Sequence, residues 1–202
     1  MPLRFVLASQ SPARLATLRS AGVEPEVIVS GFDESTVAES DPVALASTLA
    51  TSKARAVSAR VGSGAVVVGC DSVLDLDGEV HGKPRDPDDA RNRLRRMRGG
   101  SGVLHTGHCV IHDGREVVRD AATTVHFGDF DDALIDAYVA TGEPLNVAGS
   151  FTIDGLGGPF IEGVEGDPHN VVGLSLPTLR HMLAEFGIEW QQLWETSTHQ
   201  VN

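Results

Sequence analysis

Cysteine is nearly absent from this sequence: Cys70 and Cys109 are the only two among 202 residues. They are too few and too far apart for a disulfide framework or a CxxC metal site, so a reducing, cytoplasmic setting is expected. Long apolar runs are missing too. No stretch approaches ~18 uninterrupted apolar residues, so no spanning helix and no membrane partner is expected. The start, MPLRFVLAS, lacks the charged, apolar and small-residue segments of a signal peptide. Basic residues are scarce, with 16 Lys and Arg against 28 Asp and Glu and a formal charge of −12. A nucleic-acid polymer is held by neutralising many phosphates, so it is not an expected partner. A small anion stays open, given a local basic pocket, a metal ion, or both. Walker A, GxGxxG, GxSxG and HExxH patterns are also lacking, which removes the P-loop, Rossmann, α/β-hydrolase and zincin readings.

The remaining composition is that of an ordinary globular chain, 41% hydrophobic and 22% charged. A chain of this length buries roughly 70% of its extended surface, enough for a core without staples. No linker-like segment divides it, so a single unit over residues 1–202 is expected. Patterning predicts a strand over Leu3 to Ala8, then a helix opened by Pro12 with Ser11 as cap and closed by Gly22. A short strand over Glu26 to Val29 leads into the acidic loop Gly31-Phe32-Asp33-Glu34-Ser35. Asp41-Pro42 opens a longer helix with apolar positions at Leu45, Leu49, Ala50, Ala54, Val57 and Val61. Ala65 to Gly69 reads as a strand buried on both faces.

Asp77-Gly78 and Asp113-Gly114 are hairpin turn signals, the second joining strands over Val103 to His112 and Arg115 to Phe127. Between these turns a basic helix runs from Asp86-Pro87 to about Arg98. A helix over Asp131 to Thr141, short strands and tight turns over Val147 to Val172, and a final helix over Pro177 to Phe186 complete the pattern. Helices and strands alternate early and strands dominate later, so the class is α/β with a mixed sheet.

Four places carry candidate chemistry. At Ser9-Gln10-Ser11-Pro12-Ala13-Arg14 a strand runs into hydroxyl residues and a helix start. Free N–H groups and the positive dipole end suit an anion there, with Arg14 in the first turn; an ordinary Ser-Pro cap fits the same residues. Asp71 follows Val66-Val67-Val68-Gly69-Cys70, which puts a carboxylate at or near the carboxyl end of a buried strand, where α/β sheets form crevices. It needs a metal, a cation or several donors, unless it merely caps a turn. Lys53 lines up with the apolar stripe of its helix, reaching into a cleft or out to solvent. Lys83, in Gly82-Lys83-Pro84, returns toward the same crevice or sits in a surface turn. Asp33 and Glu34 offer carboxylates for Mg²⁺, which needs only one or two beside substrate phosphates; a solvated acidic loop is the alternative. His105 and His108 lie three apart in a strand and so face opposite sides, unsuited to zinc.

In order and spacing, LASQSPAR, GFDES, the lysine of TSKARAV, the aspartate of VVVGCDSV, HGKP, HTGH, AGSFTIDGLGG and EGDPHNVVGLSLP resemble the Maf family of nucleoside triphosphate pyrophosphatases, from about Leu3 to Phe186. The resemblance implies an elongated α/β fold with a mixed sheet, two lobes around a cleft, and often a homodimer. It also implies hydrolysis of a nucleoside triphosphate to the monophosphate and pyrophosphate with a divalent metal, Mg²⁺ or Mn²⁺, removing surplus or non-canonical nucleotides. By that likeness Asp71 is the catalytic acid and proton acceptor, and Ser9, Ser11 and Arg14 bind phosphate. Lys53 and Lys83 are the cleft lysines, Glu34 is the early acidic residue, and Asp71 and Glu34 are the expected metal ligands. Two positions depart from the pattern. Ala13 replaces the first arginine of SPRR, and Asp154, an expected substrate contact, stands where one branch has glutamine. An amide donates and accepts whereas an ionised carboxylate only accepts, so base preference stays open. A non-catalytic nucleotide-binding regulator of cell division is the alternative function.

Overall fold

A computed structural model describes residues 3–197, with the side chains of 195–197 left aside. Residues 1–2 and 198–202 of the expected 1–202 unit lie outside the described residues. The strands are β1 (Arg4–Leu7), β2 (Glu26–Val27), β3 (Ala65–Leu76), β4 (Glu79–His81), β5 (Ser101–His112), β6 (Arg115–Phe127) and β7 (Ile161–Glu165). The helices are α1 (Pro12–Ser20), α2 (Pro42–Val61), α3 (Pro87–Met97), α4 (Asp132–Ala140), α5 (Pro168–Val172), α6 (Leu176–Ala184) and α7 (Trp190–Ser197).

The local signals act as the sequence implies. Ser11, Asp41, Asp86 and Asp131 each accept a backbone N–H at a helix start. Asp77 and Gly78 both have positive φ, as do Asp113 and Gly114, the condition for tight hairpins joining β3 to β4 and β5 to β6.

All seven strands form one sheet in the order β2-β1-β3-β5-β6-β7, with β4 also beside β3. The pairs β1–β2 and β1–β3 are parallel and the rest antiparallel, so the sheet is mixed as expected. Strands β3, β5 and β6 run its length. At one end a core of Leu7, Leu18, Val68, Leu174 and Met182 lies under α1, α6 and α7. At the other a core of Leu74, Leu94, Leu104, Ile135 and Phe160 lies under α3 and α4. Helix α2 covers the opposite face, over Val6, Val67 and Cys109. These two ends are the two lobes.

Three expectations change. Asp71 is not at the end of a strand, because β3 continues to Leu76; its antiparallel pairing with β5 carries it on past the apolar run. Val147 to Val172 holds one strand, β7, together with 3₁₀ turns and α5, because its many glycines and prolines favour turns over ladders. The helix at Leu176–Ala184 is not the last. Chain reversal at Gly187 (φ 74°) leads into α7, whose Leu193 joins the first core.

Two glycines set how closely α2 lies. A Cβ on Gly69 would sit 2.3 Å from the Ala50 carbonyl oxygen, and one on Gly107 would sit 2.3 Å from that of Ala46. The helix thus packs with its backbone against the sheet, through Ala46, Ala50 and Ala54. Gly107→Ala must push α2 away, and we expect a loss of about 1–3 kcal/mol, typical of overpacking, read from the urea midpoint.

His108 is buried, and its Nε2 accepts the Ser175 N–H at 2.9 Å. Burial, with the nearby positive Arg14, lowers its pKa to about 4 from 6.5. The unfolded chain takes a proton that the native one refuses. This contribution is therefore fully present above pH 6.5 and is lost as pH falls from 6.5 toward 4. Urea midpoints over that window should fall in the wild type and fall less in His108→Gln.

Candidate active site

The site lies where the sheet has a gap. Strand β1 stops beside Val68 and β4 reaches β3 only at Leu74, so among the described residues Gly69 to Val73 have no strand partner on that edge. Alternation along β3 sends Asp71 toward α2 and Ser72 toward α1.

On the α2 side, Lys53 lies on the buried stripe between Ala50 and Ala54, so its ammonium reaches the sheet. It donates a short hydrogen bond to Asp71 Oδ1 and pairs with Glu34 Oε1 at 2.7 Å. Lys53 and Asp71 are each 11% exposed and Glu34 is 54% exposed, so the cluster opens outward through Glu34. Glu34 sits on a 3₁₀ turn capped by Asp33, which accepts the Ser35 N–H at 3.1 Å. Burial pushes the Asp71 carboxyl above its ordinary pKa, against the pull of Lys53 and Arg14. No hydrogen bond falls on its second oxygen among the described residues.

On the other side, Arg14 comes off the first turn of α1. It donates from Nε to the Gly173 carbonyl at 2.7 Å, from Nη1 to Ser9 Oγ at 3.2 Å, and from Nη2 to Ser72 Oγ at 3.0 Å. Ser72 lies 2.9 Å from the Thr106 hydroxyl, which donates to the Asn170 carbonyl at 3.3 Å. Gly173 (φ 111°) allows this approach, since a Cβ there would lie 3.1 Å from Arg14 Nε. Ser9 Oγ accepts from both Arg14 and the Ser11 N–H, which leaves its own O–H to donate elsewhere. Ser11 accepts the Arg14 N–H and likewise keeps its O–H. Arg14 is therefore a fixed strut that spends three of its five N–H donors on protein and keeps two for an anion. Its positive field reaches Asp71, which joins the two sides electrostatically.

Of the residues expected from sequence, Asp71, Lys53 and Glu34 converge, as do Ser9, Ser11 and Arg14. Lys83 and Asp154 are exposed, and neither has a side-chain hydrogen bond or ion pair among the described residues. Sequence reasoning overlooked Arg93. Its side chain is 10% exposed, pairs with Asp89 at 2.7 Å and donates to the Gly82 carbonyl at 2.6 Å, while Asp89 accepts the Arg85 N–H at 3.0 Å. The ion pair thus clasps the turn carrying Lys83. In sequence Arg93 is one basic position among several on its helix, and only its i,i+4 spacing from Asp89 hinted at this. His105 does face away from His108 and lies 3.4 Å from Asp120.

The sequence matches the Maf-like protein family over residues 4–186, almost its full length. The chain belongs to the Maf family. Similar family members include a nucleoside triphosphate pyrophosphatase of Salinispora tropica, 56% identical over 98% of this chain and 92% of that protein. Another, also a nucleoside triphosphate pyrophosphatase, is that of Streptomyces avermitilis, 55% identical over 95% of this chain and 94% of that protein. Among solved structures, a HAM1 protein from Coxiella burnetii covers 97% of each chain at 16% identity with a TM-score of 0.48, a likeness too slight to bear on function.

Lys53→Met would leave Asp71 buried beside no ammonium. We expect it to cost about 3–5 kcal/mol in urea unfolding, as for a broken buried pair. Asp71→Asn should cost much less, because Lys53 keeps Glu34.

Proposed function

We propose that this Maf-family protein hydrolyses a nucleoside triphosphate to the nucleoside monophosphate and pyrophosphate at the sheet gap. The observation that carries this reading is Lys53, held between buried Asp71 and outward-facing Glu34, beside the Ser9–Arg14 anion pocket. The shared name of relatives at 55–56% identity supports it.

The reaction needs a base for water and positive charge on the phosphates. Asp71 would take a proton from water as its oxygen bonds to the α-phosphorus. The bond from that phosphorus to its bridging oxygen breaks, and the electron pair leaves with pyrophosphate. The raised pKa of Asp71 makes it a better base than an exposed aspartate. Lys53 orients the carboxylate and offers charge to the phosphates. Arg14, the hydroxyls of Ser9 and Ser11, and the α1 N-terminus hold the phosphate chain. Lys83, on its clasped turn, would neutralise charge on the leaving group.

Among the described residues no group of three or more His, Cys, Asp or Glu is assembled for a metal. Two carboxylates, one buried and one open, fit instead a hard cation that shares its ligands with substrate phosphates and water. Asp71 and Glu34 would hold Mg²⁺ or Mn²⁺, which supplies charge neutralisation on the phosphates. Removal of surplus or non-canonical nucleotides is the physiological role we propose.

Purified protein given a panel of nucleoside triphosphates with Mg²⁺ or Mn²⁺ should release pyrophosphate, and a chelator should stop it. Asp71→Asn should lower kcat about 10²–10⁴-fold, the range for a lost general base, with an unchanged circular dichroism spectrum. Release of orthophosphate, or near-normal turnover by Asp71→Asn, would refute the assignment.

A further inference from the structure

Helix α3 buries Ala90, Arg93, Leu94 and Met97. Three of these are apolar, as a buried stripe requires, and the fourth is an arginine. A largely buried pair such as Arg93–Asp89 adds little net stability over apolar side chains of similar size. What Arg93 does instead is hold backbone. Its Nη1 donates to the Gly82 carbonyl at 2.6 Å, and its Nη2 lies 3.5 Å from the Lys83 carbonyl and 2.7 Å from Asp89 Oδ2. That same Asp89 oxygen accepts the Arg85 N–H at 3.0 Å. The Gly149 N–H adds a second donor to the Gly82 carbonyl at 3.1 Å. The segment after Gly149 is itself anchored, because Glu143 accepts the Leu156 and Gly157 N–H groups, each at 3.1 Å. Backbone groups on both sides of Lys83 are therefore fixed.

The turn depends on this clasp. Gly82 has no Cβ to restrict it, and Lys83 has no side-chain partner among the described residues, so neither residue sets the direction of the lysine. The turn also stands at the edge of the gap. Along β4, Glu79 to His81 pair with Leu76 back to Leu74, so the strand runs toward the Asp71 end of β3 before the turn begins. Leu74 is three residues from Asp71, about 10 Å at the strand rise.

We propose that Arg93 is a positioning residue for Lys83: its guanidinium, paired with Asp89, fixes the 82–85 turn so that the Lys83 ammonium meets the charge growing on the leaving pyrophosphate. This rests on the triphosphate reading above. Arg93 acts through the turn, because its side chain is buried and its Nη atoms face protein oxygens.

A double-mutant cycle on kcat/KM for a hydrolysed nucleoside triphosphate tests this, with Lys83→Met, Arg93→Met and the two combined. Lys83→Met should lose about 10²-fold, as for a removed preorganised donor. Arg93→Met should lose about 10–100-fold, as for a misplaced group, yet add no more than about twofold to Lys83→Met. Inhibition by pyrophosphate should weaken in Arg93→Met, while inhibition by the nucleoside monophosphate stays within about twofold. Arg93→Met with Asp89→Leu replaces both charges by apolar groups, so it serves if the single variant does not fold. It should restore the urea midpoint but not the turnover, which separates positioning from packing. Arg95→Met, which removes an exposed pair with Asp132 from the same helix, should change turnover by less than about twofold. A loss in Arg93→Met that persists in full beside Lys83→Met, or turnover recovered in the apolar pair, overturns the inference. So does unchanged turnover in Arg93→Met. Absence of pyrophosphate release by the wild type would instead bring down the triphosphate reading itself, so the two failures are told apart.

Discussion

A carboxylate buried in the middle of a β-sheet is stable as an anion only beside a cation, and the arrangement around Asp71 follows from that need. Lys53 supplies the cation, but a lysine on a helix reaches a sheet residue only if the helix lies close. Gly69 and Gly107 remove the side chains that would hold α2 away, and Ala46, Ala50 and Ala54 present small groups in return. The close packing of α2 and the charge pair are therefore one feature. Burial then raises the proton affinity of Asp71, the direction that favours its use as a base.

The opposite side of the gap solves a different problem. There the chain must hold positive charge in place without an acidic partner. Arg14 is fixed by neutral oxygens of Ser9, Ser72 and Gly173, so its charge is not cancelled. This reconciles a chain of net charge −12 with an anionic substrate. Most arginines are spent on ion pairs such as Arg55–Glu116 and Arg4–Glu26, while Arg14 at the gap forms no ion pair among the described residues. Global charge governs the encounter with a polymer; local geometry governs a single nucleotide.

Much of this was legible in the residues. Helix starts at Ser11, Asp41, Asp86 and Asp131, and the turns at Asp77-Gly78 and Asp113-Gly114, follow from local chemistry that needs no distant partner. The candidates Ser9, Ser11, Arg14, Glu34, Lys53 and Asp71 were visible because charged or hydroxyl residues interrupt apolar patterns there. The full length of β3 was not visible, since Cys70 to Leu76 becomes a strand only through its pairing with β5. The Val147 to Val172 region misled for a related reason: short apolar pieces among glycines look like strands until the ladder partners prove absent. Arg93 and Glu143 were hidden because each holds a loop separated from it in sequence, and a lone charge in sequence looks solvated.

The sequence by itself determined the class of the fold, the order of its elements and a short list of candidate site residues, because capping, turn formation and periodicity are local. Only the tertiary structure decided that Lys53 joins Asp71 to Glu34, that Arg14 braces Ser72 and Gly173, and that Glu143 gathers the 152–157 loop. Those contacts join residues brought together by strand register and by the approach of a helix to a sheet, and the energies that fix both are summed over the whole core.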